Sequence, residues 1–454
     1  MTVMIVAGVV LGVLYTLSPL SVLGVALAGA MAVRVSRPMS ARERAWFFGL
    51  VGTAMALRLA VIAALFVFAD PSRPYATFFG DEELFKNESL WLRNIHQGVL
   101  VSPADMIYAF DDVGRSNFIY MLAFIQALAG DAPYGINVLH AAWYMIGVLL
   151  LYALIRRSFG VVAALGTLAA LLFLPSLFSW SISVLKEPLY ILIAIVELIC
   201  ATQIVRAPRW PWRVAAIAGV LVCGATLESI RQGGWLLAIV GTSVGIAGAV
   251  IIPRPRVLLA SMAALILFVS VAATQPAIRN GLVLRLQSYA TLHWGHLLTP
   301  GYTYDLLDPE TYVYGDRYRD YPMTGDQAAR FVVRAAVSFV TVPWSSQIGS
   351  RTALAYLPEQ AVWYVLVILG PVGAIAGFRR DPLVTSLLVA HGLAAAAMVA
   401  LTGGNIGTLI RHRGLALPYL TSLAMVGACY LLSRPARSEA TARLEPSFPR
   451  GEHA

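Results

Sequence analysis

Eleven apolar stretches of membrane-crossing length, strung between short arginine clusters, decide what this 454-residue chain can fold into. They cover 3–33, 45–69, 134–155, 158–176, 187–205, 212–229, 233–252, 257–275, 358–378, 383–402 and 415–433. About 20 mostly apolar residues are needed to cross the hydrocarbon core as a helix. No water reaches that depth, so backbone groups must pair within each segment, which leaves the helix as the form these runs can take. The expected fold is therefore all-α and polytopic, with about 11–13 transmembrane helices. The higher figure counts two shorter stretches, 116–130 and 328–343. The second carries Arg330 and Arg334 and ends at Pro343-Trp344, which suits a helix lying in the interface. Composition agrees: 59% of residues are hydrophobic and 13% charged, where a soluble domain carries about 25% charged residues.

Arginine placement fixes the sides. Clusters fall at Arg34 to Arg44, Arg156-Arg157, Arg206 to Arg213, Arg254 to Arg256, Arg379-Arg380 and Arg434 to Arg437. Cytoplasmic loops concentrate such charge, and all these clusters share one face if 116–130 does not cross. The net charge of +9 includes no basic run of the kind that tracks nucleic acid, so no nucleic-acid partner is expected. Cys200, Cys223 and Cys429 lie in apolar segments without metal-ligand spacing and read as packing residues. The first apolar run is too long for a signal peptide and lacks a basic leader, so it reads as an anchor. The organisation expected is an N-terminal anchor and cytoplasmic loop over 1–44, a membrane domain over 45–433 with outer loops 70–115 and 276–357, and a disordered cytoplasmic tail over 434–454.

Chemistry gathers on the opposite face. Ten residues past the apolar run 45–69 stand Gly80-Asp81-Glu82-Glu83. A charge at the bilayer centre costs about 2.5–3.5 kcal/mol even on lenient insertion scales, so this cluster belongs in water or in a polar cavity at the membrane edge. Lys186-Glu187-Pro188 opens an apolar run; the pair either caps that helix or offers Lys186 to a phosphate. Glu228 and Arg231 either pair within a helix or leave Arg231 to grip an anion. Gly403-Gly404-Asn405 leads to Arg411-His412-Arg413, a run of positive charge that a fixed anion at the outer edge explains. His293 and His296 are three apart and either share a divalent metal with an acid such as Asp81 or sit at the interface without one. Tyrosines alternate with aspartates over 288–326, as a sugar-binding surface or an interfacial aromatic belt would have them. Residues 70–115, with Trp91, Arg93 and His96, read as one or two amphipathic helices on the membrane. An anionic membrane substrate, a lipid-linked phosphate or diphosphate, fits acids and cations at one depth. The carboxylate takes a proton from an incoming hydroxyl while the cations hold the departing phosphate.

These features resemble the GT-C superfamily of polyprenyl-phosphate-dependent glycosyltransferases, in particular its bacterial family 39-like branch. The resemblance rests on Asp81-Glu82 in the first large outer loop, the Tyr120 segment, Leu151-Tyr152 with Arg156 to Gly160, Pro175 ahead of Val184 to Glu187, and Arg411 to Arg413. It covers roughly residues 45–433 through loose motifs. The resemblance implies an inverting hexosyl- or pentosyltransferase in the bacterial cell membrane, working on its outer side. Asp81, or Glu82 next, would be the catalytic base. The substrate-binding set would be Lys186, Glu187, Arg231, Arg411, His412, Arg413, Tyr120 and His293. The implied partners are a polyprenyl-phosphate-linked sugar donor, a lipid or glycan acceptor and membrane lipids. A divalent metal is compatible but not required. The chain departs from that pattern in its additional segment 3–33 and in the lack of a sizeable soluble domain after 433, which favours a small lipid or glycan acceptor over a protein. A glycan polymerase or ligase would instead centre on Arg411, His412 and Arg413. A transporter would place charges at mid-bilayer, where the sequence shows mainly Arg58 and Glu197.

Overall fold

Among the described residues each of the eleven apolar runs is helical over most of its length. A computed structural model describes Gly8, Gly12 and residues 18–68, 80–110, 116–130, 133–299, 301–308, 311–312, 323–343 and 356–444. Among these the only β pairing is an isolated bridge between Thr303 and Asn405. Helices α1 (Pro19–Ser36) and α2 (Ala41–Val67) lead to α3 (Gly80–His96), α4 (Pro103–Ala109) and α5 (Asn117–Ala129). Next come α6 (Pro133–Phe159), α7 (Val161–Phe173), α8 (Pro175–Ser181), α9 (Lys186–Arg206), α10 (Trp210–Ile230) and α11 (Leu236–Ile251). The remainder are α12 (Pro255–Thr274), α13 (Pro276–Leu297), α14 (Gly325–Thr341), α15 (Leu357–Phe378), α16 (Pro382–Thr402), α17 (Ile406–Arg413) and α18 (Leu417–Leu444).

The protein is thus an all-helical, polytopic membrane protein. Among the described residues eight helices are long and apolar enough to cross a bilayer, or ten if the bent pairs α7–α8 and α17–α18 each form one span. The expectation from the sequence was 11–13, and eight to ten are found among the described residues. The run 233–252 yields the shorter α11, whose first residues, Leu236–Gly241, are π-helical. The run 158–176 breaks ahead of Pro175, where the chain turns by 64°. Proline lacks an N–H and suits a first turn, so it ends α7 and opens α8. Arg58, one of the two mid-segment charges, pins this break. It donates to Leu172 O at 3.1 Å, to Ser181 Oγ at 2.8 Å and to Ala54 O at 3.1 Å, with the Phe178 ring 4.8 Å away. The last helix continues to Leu444, beyond the end expected at 433.

Side-chain contacts bring the basic clusters together. Arg156 donates Nη2 to Glu43 Oε2 and to Pro38 O, both at 2.9 Å, joining the end of α6 to the start of α2. Arg380 donates to Phe159 O at 2.9 Å, and Arg206 meets Asp381 at 2.5 Å. At the other end, Tyr134 at the start of α6 packs its ring on Phe66 near the end of α2, 5.2 Å between centroids. The chain therefore leaves α2 and enters α6 at the same end, and α5, which covers 116–130, does not cross. It docks on α3 instead, with Gln126 donating to Ser89 Oγ at 2.9 Å. Likewise α14 is amphipathic and not a span; its end meets α15 where Trp363 donates to Val340 O at 3.0 Å. At the tightest approach of α15 to α18 a side chain on Gly373 would overlap Leu423 O, and one on Gly427 would lie 2.5 Å from Leu369 O. Small residues at such crossings let membrane helices pack backbone to backbone.

Glu197, the second mid-segment charge, sits near the middle of α9 and is fully buried. It meets His391 Nε2 of α16 at 2.8 Å and accepts from Thr242 Oγ1 at 2.5 Å, beside the π turn of α11. His391 Nδ1 faces Leu387 O at 2.7 Å, and a carbonyl only accepts, so Nδ1 carries a proton. The Glu–His contact then shares one further proton and the pair is neutral overall, which suits its depth. Breaking such a pair leaves a buried carboxylate unpaired and costs about 3–5 kcal/mol. His391→Ala is expected to lower the thermal midpoint of the detergent-solubilised protein clearly; an unchanged melt would show that the contact does not hold α9 to α16.

Candidate functional site

Helix α9 is about 30 Å long at 1.5 Å per residue. Its far end, Arg206, lies among the basic clusters, so its start at Lys186-Glu187 stands at the opposite end of the bundle. There the acids and cations singled out in the sequence meet. Asp81, Glu82 and Glu83 form the first turn of α3, where the helix dipole favours negative charge. Successive helix residues point about 100° apart, so the three carboxylates separate.

Asp81 is 54% exposed and pairs with Arg411 Nη1 of α17. Arg411 also donates Nε to Glu187 Oε1 at 2.8 Å. Glu187 is only 2% exposed and faces Arg231 at 3.8 Å as well. Arg231 donates Nη2 to His412 Nδ1 at 2.9 Å, so that nitrogen accepts and the imidazole proton sits on Nε2, 3.7 Å from Glu187. Lys186 lies over the Phe85 ring of α3 at 4.9 Å and within electrostatic reach of Asp81, Glu187, Arg231 and Arg411. Two arginines and one lysine thus confront two carboxylates, an excess of one positive charge when Lys186 is protonated. Asp81 is the carboxylate that solvent reaches; Glu187 is the buried counter-ion that holds two guanidinium groups in place.

Glu82 goes elsewhere. It is fully buried, and its Oε1 takes Lys86 Nζ at 3.0 Å, Asn137 Nδ2 at 2.8 Å and the Val184 N–H at 3.1 Å. Asn137 also donates to Ile182 O at 2.6 Å. Glu82 and Asn137 therefore fasten the turn between α8 and α9 and so position Lys186 and Glu187. The Glu82 carboxylate is shut off from solvent, unlike that of Asp81.

Arg411 and Arg413 also part company. Residues two apart on a helix face opposite ways. Arg413 is buried between Phe339 and Trp363, and it donates to Gln360 Oε1 at 3.0 Å and to the carbonyls of Phe339 and Val342. It braces α14 and α15 and is not brought to the cluster. Glu228 does not pair with Arg231: it accepts the N–H groups of Gly233 at 3.0 Å and Trp235 at 3.1 Å, shaping the turn into α11 and leaving Arg231 to Glu187 and His412.

The approach to α17 is built by the glycine turn. Asn405 caps the helix, accepting from Gly407 N at 2.8 Å. Tyr304 donates its N–H to Gly404 O at 3.1 Å and its hydroxyl to Gly403 O, so residues 302–306 lie against this turn. A side chain on Gly404 would come within 2.4 Å of His293 O. His293 itself is buried, stacked on Tyr312 at 5.6 Å and edge-on to Tyr304 at 5.5 Å. Burial, reinforced by His296, lowers its imidazole to about 4, so it stays a neutral packing ring. His296 is the histidine that the site gains. It faces Thr402 O at 2.6 Å, and burial holds it below its ordinary range, opposed by that carbonyl and aided by Arg231 and Arg411. The i, i+3 spacing in the sequence marked both histidines but could not rank them. Tyr120 is 41% exposed on α5, the helix beside α3. Among the described residues no three His, Cys, Asp or Glu side chains gather as a metal site. Tyr314, Asp316, Tyr318, Asp320 and Tyr321 of the tyrosine-rich stretch fall outside the described residues.

No family model matches the chain, and neither curated proteins nor solved structures provide a match.

Proposed function

We propose that this protein is a membrane glycosyltransferase that moves a sugar from a polyprenyl-phosphate donor to a lipid or glycan acceptor at the end of the bundle opposite the basic clusters, the outer face of a bacterial cell membrane. One observation carries the reading: Arg411 bridges the solvent-reached Asp81 to the buried Glu187, with Arg231 and Lys186 alongside. This grouping draws on α3, α9, the end of α10 and α17, and its excess positive charge suits one anionic group at the membrane edge.

The donor's phosphodiester takes the guanidinium of Arg411 and displaces Asp81 from it. The freed carboxylate then accepts the proton of the acceptor hydroxyl as that oxygen bonds to the anomeric carbon. The bond from that carbon to the phosphate oxygen breaks, and the polyprenyl phosphate leaves as a dianion held by Arg411, Arg231 and Lys186. Fixed donors facing the charge that develops on the leaving group lower the barrier. Inversion follows from a single displacement. Glu187 and His412 keep the two arginines oriented and remain unreacted.

The test is direct. Purified protein with a polyprenyl-phosphate sugar and a glycan acceptor should yield a product heavier by one sugar residue and free polyprenyl phosphate in equal amount. Donor that binds stably over a panel of hexose and pentose forms, without transfer or release, would refute the reading. Lipid-linked substrate transport is the second reading, and the Glu197–His391 pair beside a π turn favours it, since transport sites sit near mid-bilayer. Movement of a fluorescent polyprenyl phosphate between leaflets of vesicles, without chemistry, would select it.

A further inference from the structure

A cleft of about 470 Å³ opens at the basic end, the far end of α9 from the Asp81–Arg411 cluster. Its walls include Val205 and Arg206 at the end of α9, Ile246 and Val250 of α11, and Arg380 and Asp381 ahead of α16. Cavities of roughly 300–1,000 Å³ are the size that holds small ligands. The lining is amphipathic in one direction: apolar side chains along the helices, ionic groups at their ends. Val205 and Val250 are both well exposed, as residues facing acyl chains are.

The charges are unbalanced. Asp381 takes Arg206 Nη2 at 2.5 Å and the Val384 N–H at 3.1 Å, so this carboxylate is engaged with one guanidinium and one helix start. Arg380 donates Nη1 to Phe159 O at 2.9 Å, a neutral acceptor that leaves its charge uncompensated by that bond. Two arginines and one aspartate in the lining therefore give a single net positive charge. That matches the one negative charge of a phosphodiester.

We propose that this cleft is a headgroup site for an anionic phospholipid, its phosphate against Arg380 and its chains along Val205, Ile246 and Val250. Basic recesses between membrane helices at the arginine-rich side are suited to such headgroups. The apolar wall selects a lipid over a free phosphate ester, which would leave that surface unused. The site is separate from the proposed transfer reaction and stands whether or not that reaction occurs.

Binding to the full-length protein in neutral detergent is read by native mass spectrometry with three probes: dihexanoyl phosphatidylglycerol, dihexanoyl phosphatidylcholine and glycerol phosphate. Phosphatidylglycerol should bind about fivefold or more tighter than phosphatidylcholine, the worth of roughly one arginine at a membrane surface. Arg380→Gln should erase that preference. Ala249 of α11 also lines the cleft; Ala249→Phe fills that wall without changing charge and should remove phosphatidylglycerol retention, which covers the case where Arg380→Gln fails to fold. Equal binding of both lipids, a preference that survives Arg380→Gln, retention that survives Ala249→Phe, or glycerol phosphate binding as tightly as phosphatidylglycerol would each overturn the proposal.

Discussion

Asp81→Asn is expected to abolish sugar transfer while leaving donor binding intact or tighter. General-base catalysis contributes about 10²–10⁴ in rate, and an amide cannot accept the hydroxyl proton, so turnover should drop by that order. The tightening follows from the resting contact. Asp81 competes with the donor phosphate for Arg411 Nη1, and a neutral asparagine competes less well for a guanidinium. A structural role for Asp81 would move the readouts otherwise: stability and donor affinity would fall together, with the remaining bound donor turning over normally. Its carboxylate is 54% exposed and surface pairs contribute little, about 0–1 kcal/mol, so folding should tolerate the change. Turnover within about threefold of the parent, at saturating donor, would remove Asp81 from the mechanism.

Glu82 provides the contrast on the same helix turn. Its carboxylate is buried and fastens Val184 and Asn137, so Glu82→Gln should act through the placement of Lys186 and Glu187. Adjacent in sequence, the two acids were both candidates for the base, Asp81 first and Glu82 next. Only the helix phase of α3 and the position of the α8–α9 turn separate them.

That pattern describes what a sequence of this kind discloses. Hydropathy located all eleven apolar runs and the arginines gave their common side, because both depend on composition over about 20 residues. Contacts such as Arg156–Glu43 and Arg206–Asp381 join those ends as expected. Breaks were harder to see. Pro175 interrupts a run that reads as continuous, and the π turn at Leu236–Gly241 has no proline at all. Whether 116–130 crosses is settled by Tyr134 packing on Phe66, a contact between distant segments that no local pattern encodes.

The candidate site was legible as a list of residue types at the correct end of the spans, but not as a set of partners. Arg411, His412 and Arg413 looked like a single basic patch. On α17 each has its own partners: Arg411 meets Asp81 and Glu187, His412 meets Arg231, and Arg413 holds α14 and α15. Glu228 lay three residues from Arg231, a spacing that permits an ion pair, yet the backbone N–H groups of Gly233 and Trp235 claim its carboxylate. An exposed helix pair gains about 0.2–0.5 kcal/mol, less than an uncapped turn loses, so the cap wins.

Arg411→Ala has the second large expected effect, and its interpretation turns on Glu187. Removing one partner of a buried hydrogen-bonded charge pair costs about 2–5 kcal/mol, so donor affinity should fall ~30- to 5,000-fold. Part of any loss could instead come from Glu187, which is 2% exposed and would keep only the longer contacts to Arg231, at 3.8 Å, and His412, at 3.7 Å. The double variant Arg411→Ala/Glu187→Gln separates the two causes, because it removes the orphaned charge along with the cation. If Arg411 serves only to neutralise Glu187, the double variant recovers both thermal stability and donor binding. If Arg411 holds the donor phosphate, stability recovers and affinity stays lost. Arg411→Lys adds a graded arm: a lysine keeps the charge but cannot reach two carboxylates through a planar fork, so affinity should fall between parent and alanine. Binding of a short-chain polyprenyl phosphate to each variant reads these outcomes. Parent-like affinity in the double variant would place the anion site elsewhere, with Arg411 left as a strut between α3 and α9.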